Sequence, residues 1–368
     1  MSLAIDPQFM AQAIQPILEG INDPLSEKSL AVLDAVSDIE LRDKYLSLSL
    51  TLGYPGDDAK KAVVTSLGEA LLALPEVDKV DIDAGWQAPF SASIEGKKPV
   101  PNVRNVIAVA SGKGGVGKST TTVNLALAMA QLGAKVGILD ADIYGPSQPQ
   151  MLGVANQRPQ IRDQQAMIPV ESYGVQSISM GYLLSENTPT VWRGPMATGA
   201  LQQLIFQTDW HDLDYLFVDM PPGTGDIQLT LSQQVPVSGA VVVTTPQDIA
   251  LLDAKKAIEM FSKVNIPILG VVENMAVHHC SQCGHEEHIF GEGGGGRIAD
   301  DYGSQLLGAL PLALSIREDA DGGKPSVVAD PNSSITSIYT QTAQKVAAAL
   351  WVQRTLESDM PEIAISDD

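Results

Sequence analysis

Cysteine and positive charge are the two things this sequence has little of. Of 368 residues only 2 are cysteine, and 23 lysines and arginines face 44 aspartates and glutamates. Two cysteines exclude a disulfide framework, and the spacing Cys280-Ser-Gln-Cys283 points to metal or redox chemistry instead. A formal charge of −21 argues against nucleic acid and against a membrane surface as partners, because both need clustered basic residues. Long hydrophobic runs are also missing, and none approaches the roughly 20 residues of a membrane-spanning helix. The opening Met1-Ser-Leu-Ala-Ile-Asp6 has neither the basic nor the apolar segment of a secretory signal, so a cytoplasmic location is expected. What is present, 44% hydrophobic and 18% charged residues, is an ordinary globular composition. The length allows a full α/β domain with a smaller one beside it. No internal repeat is visible.

The most informative ten residues are Ser111-Gly-Lys-Gly-Gly-Val-Gly-Lys-Ser-Thr120. From Gly112 they fit the G-x-x-x-x-G-K-[ST] phosphate loop, closed by Gly117, Lys118 and Ser119. Such a loop, here Gly112, Lys113, Gly114, Gly115, Val116 and Gly117, turns successive backbone N–H groups toward one anion, and the helix that follows adds its positive end. Lys118 is expected on the β- and γ-phosphates and the Ser119 hydroxyl on Mg²⁺. Asn105-Val-Ile-Ala-Val-Ala110 before the loop reads as a buried strand. Val123, Leu125, Leu127, Met129 and Leu132 after it recur at helical spacing up to Gly133. Strand, loop and helix is the order that confirms the motif. Lys113 is an added charge at a position the general pattern leaves free.

Residues 1–95 are expected to form a small α+β domain, and 96–102 a linker. Leu46, Leu48, Leu50 and Leu52 alternate with polar residues as a half-buried strand does, and Ala59 to Leu74 carries helical periodicity stopped by Pro75. A first helix is expected over about 7–19, and Val80 and Ile82 mark another strand. Over 103–356 strands and helices alternate, which implies α/β architecture: a mostly parallel sheet with helices on both faces. Strands are expected at Val106–Ala110, Lys135–Leu139, Val175–Met180, Tyr215–Val218, Ala240–Thr244, Pro267–Val272 and Leu306–Leu310. Helices are expected to start near Gly117, Met196, Ile227, Ile249, Gly293 and Ser334. Residues 357–368 read as an acidic, disordered tail.

Two strands end on carboxylates where a nucleotide crevice needs them. Val136-Gly-Ile-Leu-Asp140-Ala-Asp142 offers Asp142 to orient or polarise the attacking water, with Asp140 in support. Tyr215-Leu-Phe-Val-Asp219 offers Asp219 to the hydrated Mg²⁺. Pro221-Pro-Gly-Thr-Gly-Asp226 and Ile143-Tyr-Gly-Pro146 read as loops that respond to the γ-phosphate.

The cysteines lie in Val277-His-His-Cys280-Ser-Gln-Cys283-Gly-His285-Glu-Glu-His288, too polar to be core. Two thiolates cannot complete a tetrahedral S₄ site, which leaves three completions. Histidines would finish a Cys₂His₂ zinc site, although Cys283 to His288 is compressed beside typical finger spacing. A redox dithiol would want a thioredoxin-like βαβ context, which is lacking here. Or two chains would each give a pair to one iron–sulfur cluster, the completion these residues favour. His278 and His279 read as simple solvent-exposed residues.

With these elements assembled, the chain resembles the Mrp/ApbC family of iron–sulfur cluster carrier ATPases. They belong to the deviant phosphate-loop group that includes ParA, MinD and the nitrogenase iron protein. The resemblance covers residues 100–350. It rests on Ser111–Ser119, Ile138-Leu-Asp-Ala-Asp-Ile-Tyr-Gly-Pro-Ser147, Trp192-Arg-Gly-Pro-Met196, Asp219-Met-Pro-Pro-Gly-Thr-Gly-Asp226, Thr244-Thr-Pro-Gln-Asp248 and the cysteine loop. Residues 1–95 are similar to the small domain this family often carries. The resemblance implies a homodimer in which Lys113 reaches across to the partner's ATP while Lys118 serves its own. It implies a [4Fe–4S] cluster held by Cys280 and Cys283 of both subunits, delivered to recipient apoproteins and exchanged with cluster-assembly scaffolds. Asn274 resembles the residue that reads adenine, and Thr120 completes the nucleotide loop. The competing readings are a ParA- or MinD-like positioning ATPase and a phosphate-loop ATPase with a structural zinc site. Against the first stands the tail Asp359–Asp368, acidic and broken by Pro361 where MinD has a basic amphipathic helix.

Overall fold

Leucines at every second position build the first well-defined strand. In the computed structural model, which describes residues 7–90, 97–162, 166–183, 194–280 and 282–358, Leu46, Leu48, Leu50 and Leu52 are all buried. Each such side chain removed from water contributes about 1.5–3 kcal/mol. Their strand, β2 (Tyr45–Leu52), follows β1 (Val36–Arg42) and pairs with it antiparallel. Helix α1 (Asp57–Leu72) buries Val63, Leu67 and Leu71, leads to β3 (Lys79–Trp86) and packs on it, and β3 runs parallel to β2. The N-terminal helical stretch 7–20 falls where periodicity places it. Strand β1 was not foreseen. Its register shifts between Ser37 and Glu40, with Asp38 at φ 51°, and that irregularity erases the alternation a strand would show.

The chain divides into two compact units, Met1–Pro89 with Ala347–Asp368, and Phe90–Val346. The division falls after Pro89 and within the last helix, Ser334–Ser358. Within the first unit Trp351 meets Tyr54 edge-on at 6.1 Å between ring centroids. Residues 1–6, 91–96, 163–165, 184–193, Ser281 and 359–368 lie outside the description. Those ranges include most of the expected acidic tail and Trp192-Arg193.

The larger unit is an eight-stranded sheet. Its strands are β4 (Val103–Ala110), β5 (Val136–Asp140), β6 (Val170–Ser172), β7 (Val175–Ser179), β8 (Leu213–Asp219), β9 (Gly239–Thr244), β10 (Ile268–Glu273) and β11 (Leu306–Ala309). The order is β11-β10-β9-β4-β8-β5-β7-β6, parallel throughout except for the edge strand β6. All seven strands read from the sequence are present. Every residue of β5 and β9 is buried, as continuous apolar runs in a sheet covered on both faces require. The six helices read from the sequence are α2 (Lys118–Gln131), α3 (Gly194–Phe206), α4 (Asp226–Gln234), α5 (Asp248–Lys263), α6 (Gly294–Asp301) and α7 (Ser334–Ser358), each starting within two residues of its expected position; short helices at Gln148–Met151, Leu314–Asp321 and Ser326–Ala329 were not read from the sequence. Among the described residues no helix is long and apolar enough to cross a membrane. The carboxyl ends of β4, β5, β8, β9 and β10 therefore share one edge of the sheet, where ligands of open α/β sheets bind.

Candidate functional site

The phosphate loop joins β4 to α2, and two of its glycines are fixed by close packing. Gly117 has φ 82°, and a Cβ there would stand 2.1 Å from the Asn274 amide nitrogen. Gly112 lies against the backbone of α5, where a Cβ would meet the Asp253 carbonyl at 2.0 Å. The loop is thus gripped by β10's end on one side and α5 on the other. Thr121 and Thr122 return their hydroxyls to the carbonyls of Gly117 and Lys118, each at 2.9 Å, which ties the loop to the first turn of α2.

Lys118 and Asp219 form an ion pair with side chains 6% and 0% exposed. The ammonium also lies 3.2 Å from the Ser119 hydroxyl. One cation thus already stands beside both oxygens that the sequence assigns to magnesium, and hard oxygen donors around a positive charge are what that ion takes. Asp219 is further held by Gln148, whose amide donates to it at 2.9 Å and to the Ser119 carbonyl at 3.1 Å. Thr122 Oγ1 is 3.3 Å from the same carboxylate.

Asp140 accepts from the N–H groups of Asp142 (3.2 Å), Ser147 (3.0 Å) and Gln148 (3.1 Å), and from the Ser179 hydroxyl at 3.0 Å. It shapes the loop after β5 rather than facing solvent. Burial, then the neighbouring charge of Asp219, pushes its carboxyl above the ordinary range, and the Gln148 N–H opposes them. Asp142 is half-buried, and there too burial raises the carboxyl while Lys118 pulls it down. A carboxylate poised upward beside a phosphate lysine is suited to accept a proton from water.

Asn274 donates to the Val116 carbonyl at 2.8 Å, so it braces the phosphate loop from behind. Lys113 is half-buried, its carbonyl capped by the Ser111 hydroxyl at 2.9 Å. Among the described residues its ammonium has no partner. The loop after β8 is tied to the phosphate loop by the Gly223 N–H, which donates to the Ser111 carbonyl at 2.9 Å. Gly114, Gly115, Ser119 and Thr120 complete the loop surface, with Gly114 and Gly115 exposed.

The cysteines stand elsewhere, on a short ribbon in which His278–His279 pairs with Glu286–Glu287. Cys280 is half-buried and Cys283 exposed. The Cys280 N–H donates to the His285 carbonyl at 2.9 Å, and the Gly284 N–H returns to Cys280 at 2.8 Å. The N–H of Cys283, then that of Gln282, points at the Cys280 sulfur and lowers its pKa, favouring the thiolate that binds metal. Among the described residues no third Cys, His, Asp or Glu joins the pair in a metal-sized group. His279 is exposed, but His278 and His288 are engaged through Nδ1 with the carbonyls of Leu312 (2.9 Å) and Ala276 (2.7 Å).

Gln148 and Glu273 were not foreseen. Both are buried polar residues that border motif residues, Gln148 after Ser147 and Glu273 before Asn274, and only their partners reveal them.

Comparison with known proteins agrees with this geometry. Residues 102–347 match the profile of the NUBPL iron-transfer P-loop NTPases, and residues 11–83 match that of an iron–sulfur cluster assembly protein. The iron–sulfur cluster carrier protein of Escherichia coli K12 is 49% identical over 352 residues, 96% of this chain and 95% of its own. That of Pseudomonas fragi is 67% identical over 243 residues, covering 66% of this chain and 85% of its own. Among solved structures, a nucleotide-binding protein of Archaeoglobus fulgidus in complex with ADP superposes with TM-score 0.57 at 35% identity. It covers 65% of this chain and 93% of its own.

Proposed function

The chain belongs to the NUBPL iron-transfer P-loop NTPase family, and from that membership we propose an ATP-hydrolysing carrier that holds a [4Fe–4S] cluster between two subunits and passes it to apoproteins. The observation that carries the reading is the coexistence of a nucleotide-binding site formed within one chain with half a metal site. One chain presents two thiols, and a cubane cluster takes four. A homodimer supplies the other two.

At the nucleotide, the chain's own residues do the following. The Lys118 ammonium exchanges Asp219 for the β- and γ-phosphates, and the loop N–H groups from Gly112 to Thr120 take the remaining oxygens. Ser119 and Asp219, freed of the ammonium, would hold magnesium, which would supply charge neutralisation on the phosphate oxygens. Gln148 keeps Asp219 oriented during the exchange. Asp142 takes the proton of the attacking water. Lys113, whose ammonium has no partner among the described residues, reaches the partner's phosphates as a trans cation. Asn274 lies at the loop's rear, from where it also meets the adenine.

Recipient iron–sulfur apoproteins and assembly scaffolds are the partners, in the cytoplasm. The zinc alternative requires two further ligands from the same chain, and the positioning alternative leaves the thiols without a role. Transfer decides between them. Cluster-loaded protein incubated with an apo [4Fe–4S] enzyme should restore that enzyme's activity, and protein carrying Cys280→Ala should not. Restoration that proceeds equally with the cysteine variant would refute the carrier role.

A further inference from the structure

Two consecutive residues connect the phosphate loop with the cysteine loop. Glu273 ends β10 and Asn274 follows it, 3% and 8% exposed. Asn274 turns to the phosphate loop, donating to the Val116 carbonyl and packed against Gly117. Glu273 turns the other way, and its carboxylate accepts the N–H of Gly295 in the first turn of α6, the helix that begins where the cysteine loop ends. The chain between them is held in place by neighbouring strands. The Asn274 N–H donates to Thr244 at 2.7 Å, and the Leu310 N–H donates to the Glu273 carbonyl at 2.8 Å.

The same dipeptide is the entrance to the cysteine loop. Met275 comes next with φ 58°, a conformation a residue with a side chain adopts only under constraint. Five residues, 275–279, then separate Asn274 from Cys280. The exit is cinched to the entrance twice, by His288 on the Ala276 carbonyl at 2.7 Å and by Gly295 on Glu273. The Val116–Gly117 peptide thus touches Asn274 directly, and one backbone link joins Asn274 to both ends of the cysteine loop.

We propose that Glu273 is a positioning residue that couples the two sites: with Asn274 it makes the presentation of Cys280 and Cys283 depend on phosphate-loop occupancy. The inference rests on the carrier reading for its purpose but not for its test, because thiol reactivity is read on metal-free protein. Full-length reduced protein is alkylated with iodoacetamide, with and without saturating Mg-ADP or Mg-ATP, and the rate at each cysteine is followed by mass spectrometry. Nucleotide should change that rate by roughly fivefold or more, the usual scale of coupling between sites. Glu273→Ala should bring the ratio to near one while the affinity for a fluorescent ADP stays as in the wild type. Glu273→Gln, which keeps an acceptor for the Gly295 N–H, should retain the response. If Glu273→Ala does not fold, His288→Ala interrupts the other of the two ties, at a half-exposed side chain, and should weaken the response. Alkylation indifferent to nucleotide in the wild type overturns the proposal. So does a full response in every folded variant among Glu273→Ala and His288→Ala, or a loss in Glu273→Gln equal to that in Glu273→Ala. A failure of cluster uptake, by contrast, would refute the carrier reading and leave these ratios untouched.

Discussion

Lys118, Asp140 and Asp219 are buried and bonded inside one chain, whereas Cys280 and Cys283 stand half-buried and exposed on a ribbon of two paired residues per strand. The first site is built by the sheet. Five parallel strands end there, and each carboxylate has donors waiting for it. The second site is made by local backbone turns, with Cys280 bonded through its backbone to His285 and Gly284. A site that closes on itself can bind its ligand as a monomer. A site with half its ligands acquires its function on association.

That contrast is broken most severely at the thiols. Cys280→Ala or Cys283→Ala should abolish cluster retention completely while ATP binding persists, as absorbance after anaerobic reconstitution and nucleotide titration will measure. The converse change, Lys118→Ala, should abolish hydrolysis yet leave thiol-dependent cluster uptake. It also strands the buried Asp219, at about 3–5 kcal/mol of stability by chemical denaturation. Lys113→Ala tests whether the phosphate site is self-sufficient in turnover as well as in binding. Hydrolysis should fall by about 10³-fold, the scale of a trans cation, with nucleotide affinity unchanged. Hydrolysis unaffected by this change would make Lys113 a surface residue.

A milder effect concerns pH. Burial raises the Asp142 carboxyl, so the folded protein holds its proton to higher pH than a free aspartate, whose pKa is about 3.9. If the ionised form takes the water's proton, hydrolysis should be lost as pH falls through a value above that reference. Asp142→Asn should remove both the limb and most of the rate in a pH–rate profile. The same upward direction at Asp140 means that the native state binds more protons than the unfolded one over that window. Its contribution to stability therefore declines as pH rises from the free value through the folded one. The smallest change is Gln148→Leu, which removes the donor to Asp219. It should lower stability by about 1–3 kcal/mol in denaturant melts and slow hydrolysis without touching the cysteines.

The two sites also differ in how far the sequence discloses them. Glycines, Lys118 and strand-end aspartates sit at spacings dictated by phosphate geometry, so strands β4, β5 and β8 and the crevice at their carboxyl ends were legible. The cysteine spacing was equally plain, but its completion was open, because ligands beyond the pair leave no mark on its spacing. Gln148 and Glu273 stayed hidden, since what singles them out is a partner far away in the chain, Asp219 for one and Gly295 for the other. Strand β1 stayed hidden for a local reason, its bulge at Asp38.

The central claim, a whole site and a half site on each chain, is tested most directly by native mass spectrometry of protein reconstituted anaerobically with iron and sulfide. The account expects a dimer carrying one [4Fe–4S] cluster for two chains, reverting to cluster-free protein when Cys283 is replaced by Ala. A monomer holding one zinc ion per chain and taking up no cluster would contradict it.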